Sequence, residues 1–107
     1  MGKRPPFTLR FAPEAIEHMD LIDARHHGLL RRAMKEQLTH APKAETRNRK
    51  PLEQPAPFEA TWELRCGPDN RFRIFYEVDA ESHTVQILAI GIKDRSRLWI
   101  GRQEFEL

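Results

Sequence analysis

The sequence predicts an α+β fold in which a two-helix hairpin packs on one face of a small, antiparallel-rich sheet, in the order βααβββ. Three observations predict it. An alternating apolar segment opens the chain, two stretches of three-and-four apolar spacing follow, and three alternating or apolar runs separated by turn residues close it. At 107 residues the chain is read as one domain, residues 1–107. Hydrophobic residues at 39% and charged residues at 32% supply one core and a heavily charged surface, and exclude a disordered chain.

Phe7-Thr8-Leu9-Arg10-Phe11 alternates, so Phe7, Leu9 and Phe11 share one face of a strand. Pro13 stands where a helix begins, because its missing N–H is harmless in the first turn. Glu14 and Glu17 follow where the helix dipole favours carboxylates. Ala12, Ile16, Met19 and Ile22 form an apolar stripe on a helix expected from Pro13 to Arg25. His26-His27-Gly28 reads as the junction to a second helix, whose stripe is Leu30, Ala33, Met34 and Leu38. Arg31, Arg32 and Lys35 beside it read as a solvated face.

From His40 to Pro57 the pattern dissolves, and Pro42, Pro51, Pro55 and Pro57 forbid a regular helix. The basic part of this loop, Arg47–Lys50, is expected to fold over the sheet. Ala60, Trp62 and Leu64 then alternate with Glu59, Thr61, Glu63 and Arg65. After the turn Gly67-Pro68-Asp69-Asn70, Phe72, Ile74, Tyr76 and Val78 alternate with Arg71, Arg73, Phe75 and Glu77. A turn near Ala80–Ser82 leads to Thr84–Ile92, whose apolar run predicts a central, buried strand. The tail begins basic at Lys93 and ends acidic at Glu104 and Glu106.

The formal charge of +2 is too small to indicate a polyanion partner by itself, so the distribution of charge matters more. Cys66 is the one cysteine; it makes no intrachain disulfide, has no metal-ligand spacing around it, and reads as a bystander in a reducing compartment. No metal and no cofactor is expected. No apolar run approaches the ~18–20 residues that span a bilayer, and Met1-Gly2-Lys3-Arg4-Pro5-Pro6 has no apolar stretch behind it, so a soluble, cytoplasmic protein without membrane contact is expected.

If the turn at Pro68-Asp69 closes with Arg65 opposite Arg71, then Leu64 faces Phe72, Glu63 faces Arg73 and Trp62 faces Ile74. Apolar residues meet on one side and charges on the other. The helices then cover Trp62, Leu64, Phe72, Ile74 and Tyr76. The open face carries Glu63, Arg65, Arg71 and Arg73, with Lys93, Arg95 and Arg97 at the end of the last strand. Such a cluster is a footprint for phosphates. The same spacing equally fits a plain cross-strand pair of Arg73 with Glu63, worth roughly 0.2–1 kcal/mol.

Trp62-Glu63-Leu64-Arg65, Arg71-Phe72-Arg73-Ile74-Phe75-Tyr76-Glu77-Val78 and Ile87-Leu88-Ala89-Ile90-Gly91-Ile92-Lys93-Asp94-Arg95-Ser96 resemble the RelE/ParE superfamily of toxins of type II toxin–antitoxin systems. The Arg73–Tyr76 element and the upstream Asn48-Arg49-Lys50-Pro51-Leu52 are the most recognisable pieces, and the likeness runs in order over nearly the whole chain. It implies the βααβββ fold, a cognate antitoxin partner and one of two activities. One is metal-free endoribonuclease cleavage of mRNA on the ribosome, which blocks translation. The other is poisoning of a protein target such as DNA gyrase, or binding by a catalytically weakened member. An unrelated α+β binding domain is the third reading of the residues.

Metal-free RNA cleavage needs a base for the 2′-hydroxyl, cations for the charge on phosphorus and an acid for the leaving 5′-oxygen. The resemblance puts the phosphate-binding arginine at Arg73 and the second basic residue at Lys93. Where some members carry two lysines on the second strand, this chain has Thr61 and Glu63. Where others place a glutamate base before a Pro-Leu pair it has Lys50, and where a tyrosine often supplies the acid it has Trp99. Lys50, flanked by Arg47 and Arg49 whose charges favour a neutral amine, is the candidate base, with Glu63 as its competitor. Arg47, Arg49, Arg65, Arg71 and Arg95 are candidate phosphate contacts, and the indole of Trp99 is a candidate platform for a base.

Overall fold

The computed structural model describes residues 5–105. The leader reading of Met1–Arg4 and the tail residue Glu106 lie outside them. Seven strands and two helices run in the order β1 (Thr8–Phe11), α1 (Pro13–Asp20), α2 (His27–Leu38), β2 (Arg49–Pro51), β3 (Trp62–Cys66), β4 (Phe72–Asp79), β5 (Thr84–Asp94), β6 (Arg97–Ile100) and β7 (Gln103–Phe105). The βααβββ frame expected from the sequence is present, with β2, β6 and β7 added to it. The sheet order is β2-β3-β4-β5-β6-β7, and β1 also pairs with β5. That pairing is parallel, from Thr8 opposite Thr84 to Phe11 opposite Ile87, while β6 takes the other end of the same edge from Gly91 to Asp94. No helix among the described residues is long and apolar enough to cross a membrane.

The helix side holds the main core. Leu30, Met34 and Leu38 of α2 are buried against Leu64, Phe72, Ile74 and Tyr76, as the second stripe predicted. On β5 the buried helix-side residues are Val85 and Ile87, then Ile90. This change of parity comes from a bulge: Phe75 pairs with Ala89 and Tyr76 with Ile87, leaving Leu88 without an opposite number. The apolar run therefore serves both faces in turn.

The first helix departs from expectation. It ends at Asp20 instead of Arg25, and a 3-10 turn, Ala24–His26, joins it to α2, with the Asp23 carboxylate accepting a hydrogen bond from the Arg25 N–H at 3.0 Å. Ala15 and His18 are buried instead of Ile16, which is 52% exposed. The reason lies in the edge of β5. Between the end of β1 and the start of β6 the Ile90 N–H has no strand partner, and it donates to His18 Nδ1 at 3.3 Å. Helix α1 turns its small and polar residues toward that gap. Gly101, at φ +64° between β6 and β7, abuts the same imidazole; a Cβ there would stand 3.1 Å from His18 Cδ2.

A backbone N–H can only donate, so His18 must be neutral with Nδ1 free. Burial lowers its pKa below the ordinary 6.5, partly opposed by Glu17 and Glu14. The unfolded chain therefore binds a proton at a higher pH than the folded one. The His18 contribution is complete above about 6.5 and is lost as the pH falls toward the lowered folded value. We expect urea unfolding to show a stability loss from about pH 7.5 to about pH 5 that is reduced in His18→Gln. Equal losses in the two proteins would clear His18 of the effect.

Candidate functional site

The side of the sheet away from the helices is not open throughout. Ala60, Phe75, Ala89, Leu98 and Ile100 are buried there, with Leu52, Leu88 and Phe105 packed on them. The segment from Leu52 to Ala60 lies over this second core. It is anchored by Leu52 N–H to Thr61 O at 2.9 Å and by the Gln54 side-chain amide to Ala60 O at 2.9 Å. At its far end Phe58 meets His18 edge-on, ring centroids 5.3 Å apart, and lies 6.1 Å from the ring of Phe105. The loop that folds over the sheet is thus the one after Lys50; Arg49–Pro51 is itself an edge strand. No local pattern marked this strap. The apolar residues Leu98, Ile100 and Phe105 in the tail were the available signal for what it covers.

Beyond the strap, one end of this face gathers charge. The β3–β4 register differs by two residues from the expected one: Arg65 stands opposite Arg73, Leu64 opposite Ile74, Glu63 opposite Phe75 and Trp62 opposite Tyr76. A shift of two preserves the face of every side chain. The cause is the turn, in which Gly67 has φ +81° and Pro68–Asn70 forms a 3-10 turn, so that Cys66 and Phe72 close the ladder. Gly67 is required there for space as well, since a Cβ would stand 2.6 Å from Phe72 Cδ2.

Two arginines directly opposed would repel, and Glu63 sits between them. Its Oε1 accepts from Arg65 Nε at 2.9 Å, and its Oε2 lies 3.5 Å from Arg73 Nη1. Arg73 Nε donates to Asn70 O at 3.0 Å. Arg73 is 4% exposed and Glu63 5%, so the arginine expected on an open face is buried in an ion pair. Burial and the neighbouring Arg65 hold the Arg73 guanidinium below its ordinary value, against the pull of Glu63. The second core lies on the same side of the sheet, where Gly91 faces Arg73 across β4–β5 and Ile100 packs close on Gly91.

Lys50 pairs directly with Glu63 across β2–β3 and is exposed, so the charged group across from it is a carboxylate, and Arg49, expected to flank it, is turned to the helix side by strand alternation. Residues so opposed have Cβ atoms roughly 4.5–5.5 Å apart. Lys93, on β5 opposite Leu98, is half-buried on the same face. Arg71, Arg95 and Lys93 line a shallow depression with Pro68, Asp69 and Asp94. Two neighbouring groups result on this side: Lys50, Glu63, Arg65 and Arg73 on β2–β4, and Arg71, Lys93 and Arg95 around the depression further along β5, three strands from Lys50.

Three expected members stand elsewhere. Arg49 pairs with Leu64 on the helix side, where its guanidinium donates to Gln37 O and, at 3.1 Å, to Ala44 O, tying the loop to the end of α2. Arg47 is exposed in the loop before β2. Trp99 pairs with Ile92, a helix-side residue, and so points away from Lys93 and Arg73. Alternation along β6 decides this, because Leu98 and Ile100 occupy the other side. Tyr76 donates its hydroxyl to Pro42 O at 2.7 Å, and burial pushes its phenol far above the ordinary range. Burial likewise pushes the Cys66 thiol up to about 11, which leaves little thiolate.

Chemically, the assembly is a buried carboxylate clamped by two guanidinium groups, with an exposed amine across from it on β2 and a second amine two strands away on β5. Such an arrangement suits an anion with several oxygens. Among the described residues no group of three or more His, Cys, Asp and Glu side chains is placed to hold a metal ion.

Residues 9–97 match the family described as ParE toxin of type II toxin-antitoxin system, parDE. The chain is also similar to a solved structure, the toxin–antitoxin complex RelBE2 from Mycobacterium tuberculosis, with a TM-score of 0.69 and 26% sequence identity over 87% of this chain and 98% of that one. A search of curated proteins gave no match.

Proposed function

Because the chain belongs to the ParE toxin family of type II toxin–antitoxin systems, we propose that it is held inactive by a cognate antitoxin and that, once free, it cleaves mRNA on the ribosome without a metal. The observation that carries this reading is the pairing of Lys50 with Glu63, beside Arg65 and Arg73 on the face that also bears Lys93. Lys50 removes the 2′-hydroxyl proton. The 2′-oxygen then attacks phosphorus, and the bond to the 5′-oxygen breaks. Arg65 and Arg71 carry the charge that builds on the phosphoryl oxygens. Water protonates the leaving 5′-oxygen, and Lys93, three strands from Lys50, holds a neighbouring phosphate of the message. Buried Arg73 acts through Glu63, fixing the carboxylate and with it Arg65, and is a positioning residue.

The test is the chemistry of the ends. Purified toxin added to ribosomes translating a defined mRNA is expected to give fragments with 2′,3′-cyclic phosphate and 5′-hydroxyl termini. Intact mRNA together with trapped gyrase–DNA complexes would replace this reading with the second one. That second reading draws on the positions of Tyr76 and Trp99, neither of which offers a titrating acid to the charged end.

A further inference from the structure

A groove of about 460 Å³ opens between α1, the β6–β7 turn and the tip of the strap. His18, Leu21, Phe58 and Ile100 line it, and the exposed Glu17 and Arg102 stand beside it. Two of its side chains are unusual. His18 is 8% exposed, and its Nδ1 accepts from the Ile90 N–H, so the ring proton sits on Nε2. That second nitrogen has no hydrogen-bond partner among the described residues. No unpartnered side-chain nitrogen among them is sealed from solvent, so the Nε2–H opens on the groove. Gly101 leaves the opening clear, since a Cβ there would stand 3.4 Å from Nε2. Phe58 is the other. It is 38% exposed on a backbone of φ 57° and ψ 23°, a left-handed conformation that a bulky residue keeps only where its surroundings impose it. Contacts with the rings of His18 and Phe105 fix it and leave part of the ring open to the groove.

We propose that this groove takes one nucleobase of a single-stranded RNA, whose ring packs on Phe58 and Leu21 while the His18 Nε2–H donates to an acceptor on its edge. The inference rests on the reading that the chain acts on mRNA, and it adds a contact outside the charged end. Chemistry selects the occupant. A phenylalanine or tryptophan side chain offers no acceptor, and would leave the buried N–H to bear its desolvation unpaired. A carboxylate would meet Glu17 and Glu14, whose charges already act on the imidazole. A neutral ring with a carbonyl or ring-nitrogen acceptor satisfies the floor of the groove. Arg102 makes no ion pair among the described residues and meets the phosphate attached to that ring. A nucleotide joins the two, and unpaired bases of RNA stack on aromatic side chains in this way. The position agrees. Lys93 stands opposite Leu98, and Gly101 lies three residues further along the chain, roughly 10 Å at ~3.3 Å per residue. One strand held at Lys93 can span both.

The experiment pairs changes in the RNA with changes in the protein. A labelled RNA of about eight nucleotides, blocked from cleavage by 2′-O-methyl groups, is titrated against the full chain, and each base in turn is replaced by an abasic position. One abasic position is expected to weaken binding to the wild type by about 10-fold, the loss of one stacked base. Phe58→Ala should weaken the intact RNA to the same extent and be indifferent to that position. Phe58→Trp should restore both the affinity and the abasic loss, which a strap merely damaged by substitution would not do. Phe11→Ala removes a ring that is 41% exposed outside the groove and should leave binding unchanged. Arg102→Gln should weaken binding and lower its salt slope by about one. Abasic losses that are the same in the wild type and Phe58→Ala overturn the proposal, as does an equal effect of Phe11→Ala. Adenosine monophosphate that competes as well as the intact RNA would make this a site for free nucleotides and overturn it too. So would a wild-type dimer that Phe58→Ala dissolves, since the groove would then belong to a second copy. Cleavage on the ribosome is measured separately with unblocked message. The abasic signature without cleavage supports the groove and faults the nuclease reading alone, whereas cleavage without the signature faults the groove alone.

Discussion

Arg73→Ala is expected to lower the stability of the fold by about 3 kcal/mol and to abolish toxicity. The figure sits at the low end of the ~3–5 kcal/mol typical of removing one partner from a buried pair, because Arg65 keeps its bond to Glu63. What remains is a carboxylate 5% exposed, with one guanidinium partner instead of two. The corresponding fall in melting temperature is on the order of 10 °C or more for a domain of this size. Loss of toxicity alone would then be ambiguous, since an unfolded toxin is also harmless. The double variant Arg73→Met, Glu63→Leu separates the two effects. Replacing a buried ion pair with apolar groups of similar volume is often neutral or stabilising, so it should regain most of the lost stability. Its cleavage rate should stay down by on the order of 10²-fold, as displacement of reacting groups by about 1 Å can do. Thermal unfolding and cleavage of a ribosome-bound message are the two measurements. A stable double variant that cleaves at the wild-type rate would show that the pair only holds the fold.

Lys50→Arg should remove cleavage by roughly 10²–10⁴-fold, the usual contribution of a positioned general base, while leaving RNA binding and stability close to wild type. Lys50 is exposed on an edge strand, where substitutions usually change stability by less than about 0.5 kcal/mol. Arginine keeps the cation but stays protonated in proteins, so it cannot accept the 2′-hydroxyl proton. The competing base, Glu63, is buried with one oxygen on Arg65 and the other beside Arg73, so neither oxygen is presented to a 2′-hydroxyl. Glu63→Gln should therefore reduce stability, because it removes the negative charge between two opposed guanidinium groups, and should affect cleavage through that loss. If Lys50→Arg cleaves normally while a folded Glu63→Gln does not, Glu63 is the base.

Much of the fold was legible because the elements state their own periods. The α2 stripe of Leu30, Met34 and Leu38 is buried as its spacing required, and Trp62, Leu64, Phe72, Ile74 and Tyr76 lie under the helices. For the candidate site, alternation made the shared side of Glu63, Arg65, Arg73 and Lys93 legible, and Lys50 lies on that side too. The site was not legible as an environment. Nothing local in Pro55–Ala60 announces that this segment crosses a sheet to place Phe58 against His18 and Phe105. Nor does the sequence around Arg73 show that it will be buried with Glu63 and tied to Asn70 O.

Alternation determined on its own which strand residues share a face, and that survived a register error of two because a shift of two leaves parity intact. Tertiary structure decided the rest. The turn at Gly67–Asn70 chose the register, the β5 bulge moved Ile90 to the helix side, and the open stretch of β5 edge turned His18 inward and Ile16 outward. The second core converted an exposed pair into a buried one. Periodicity is a property of neighbouring residues and is written along the chain. Register, burial and the filling of an unpaired N–H depend on segments far apart in sequence, and their free energies exist only once those segments meet.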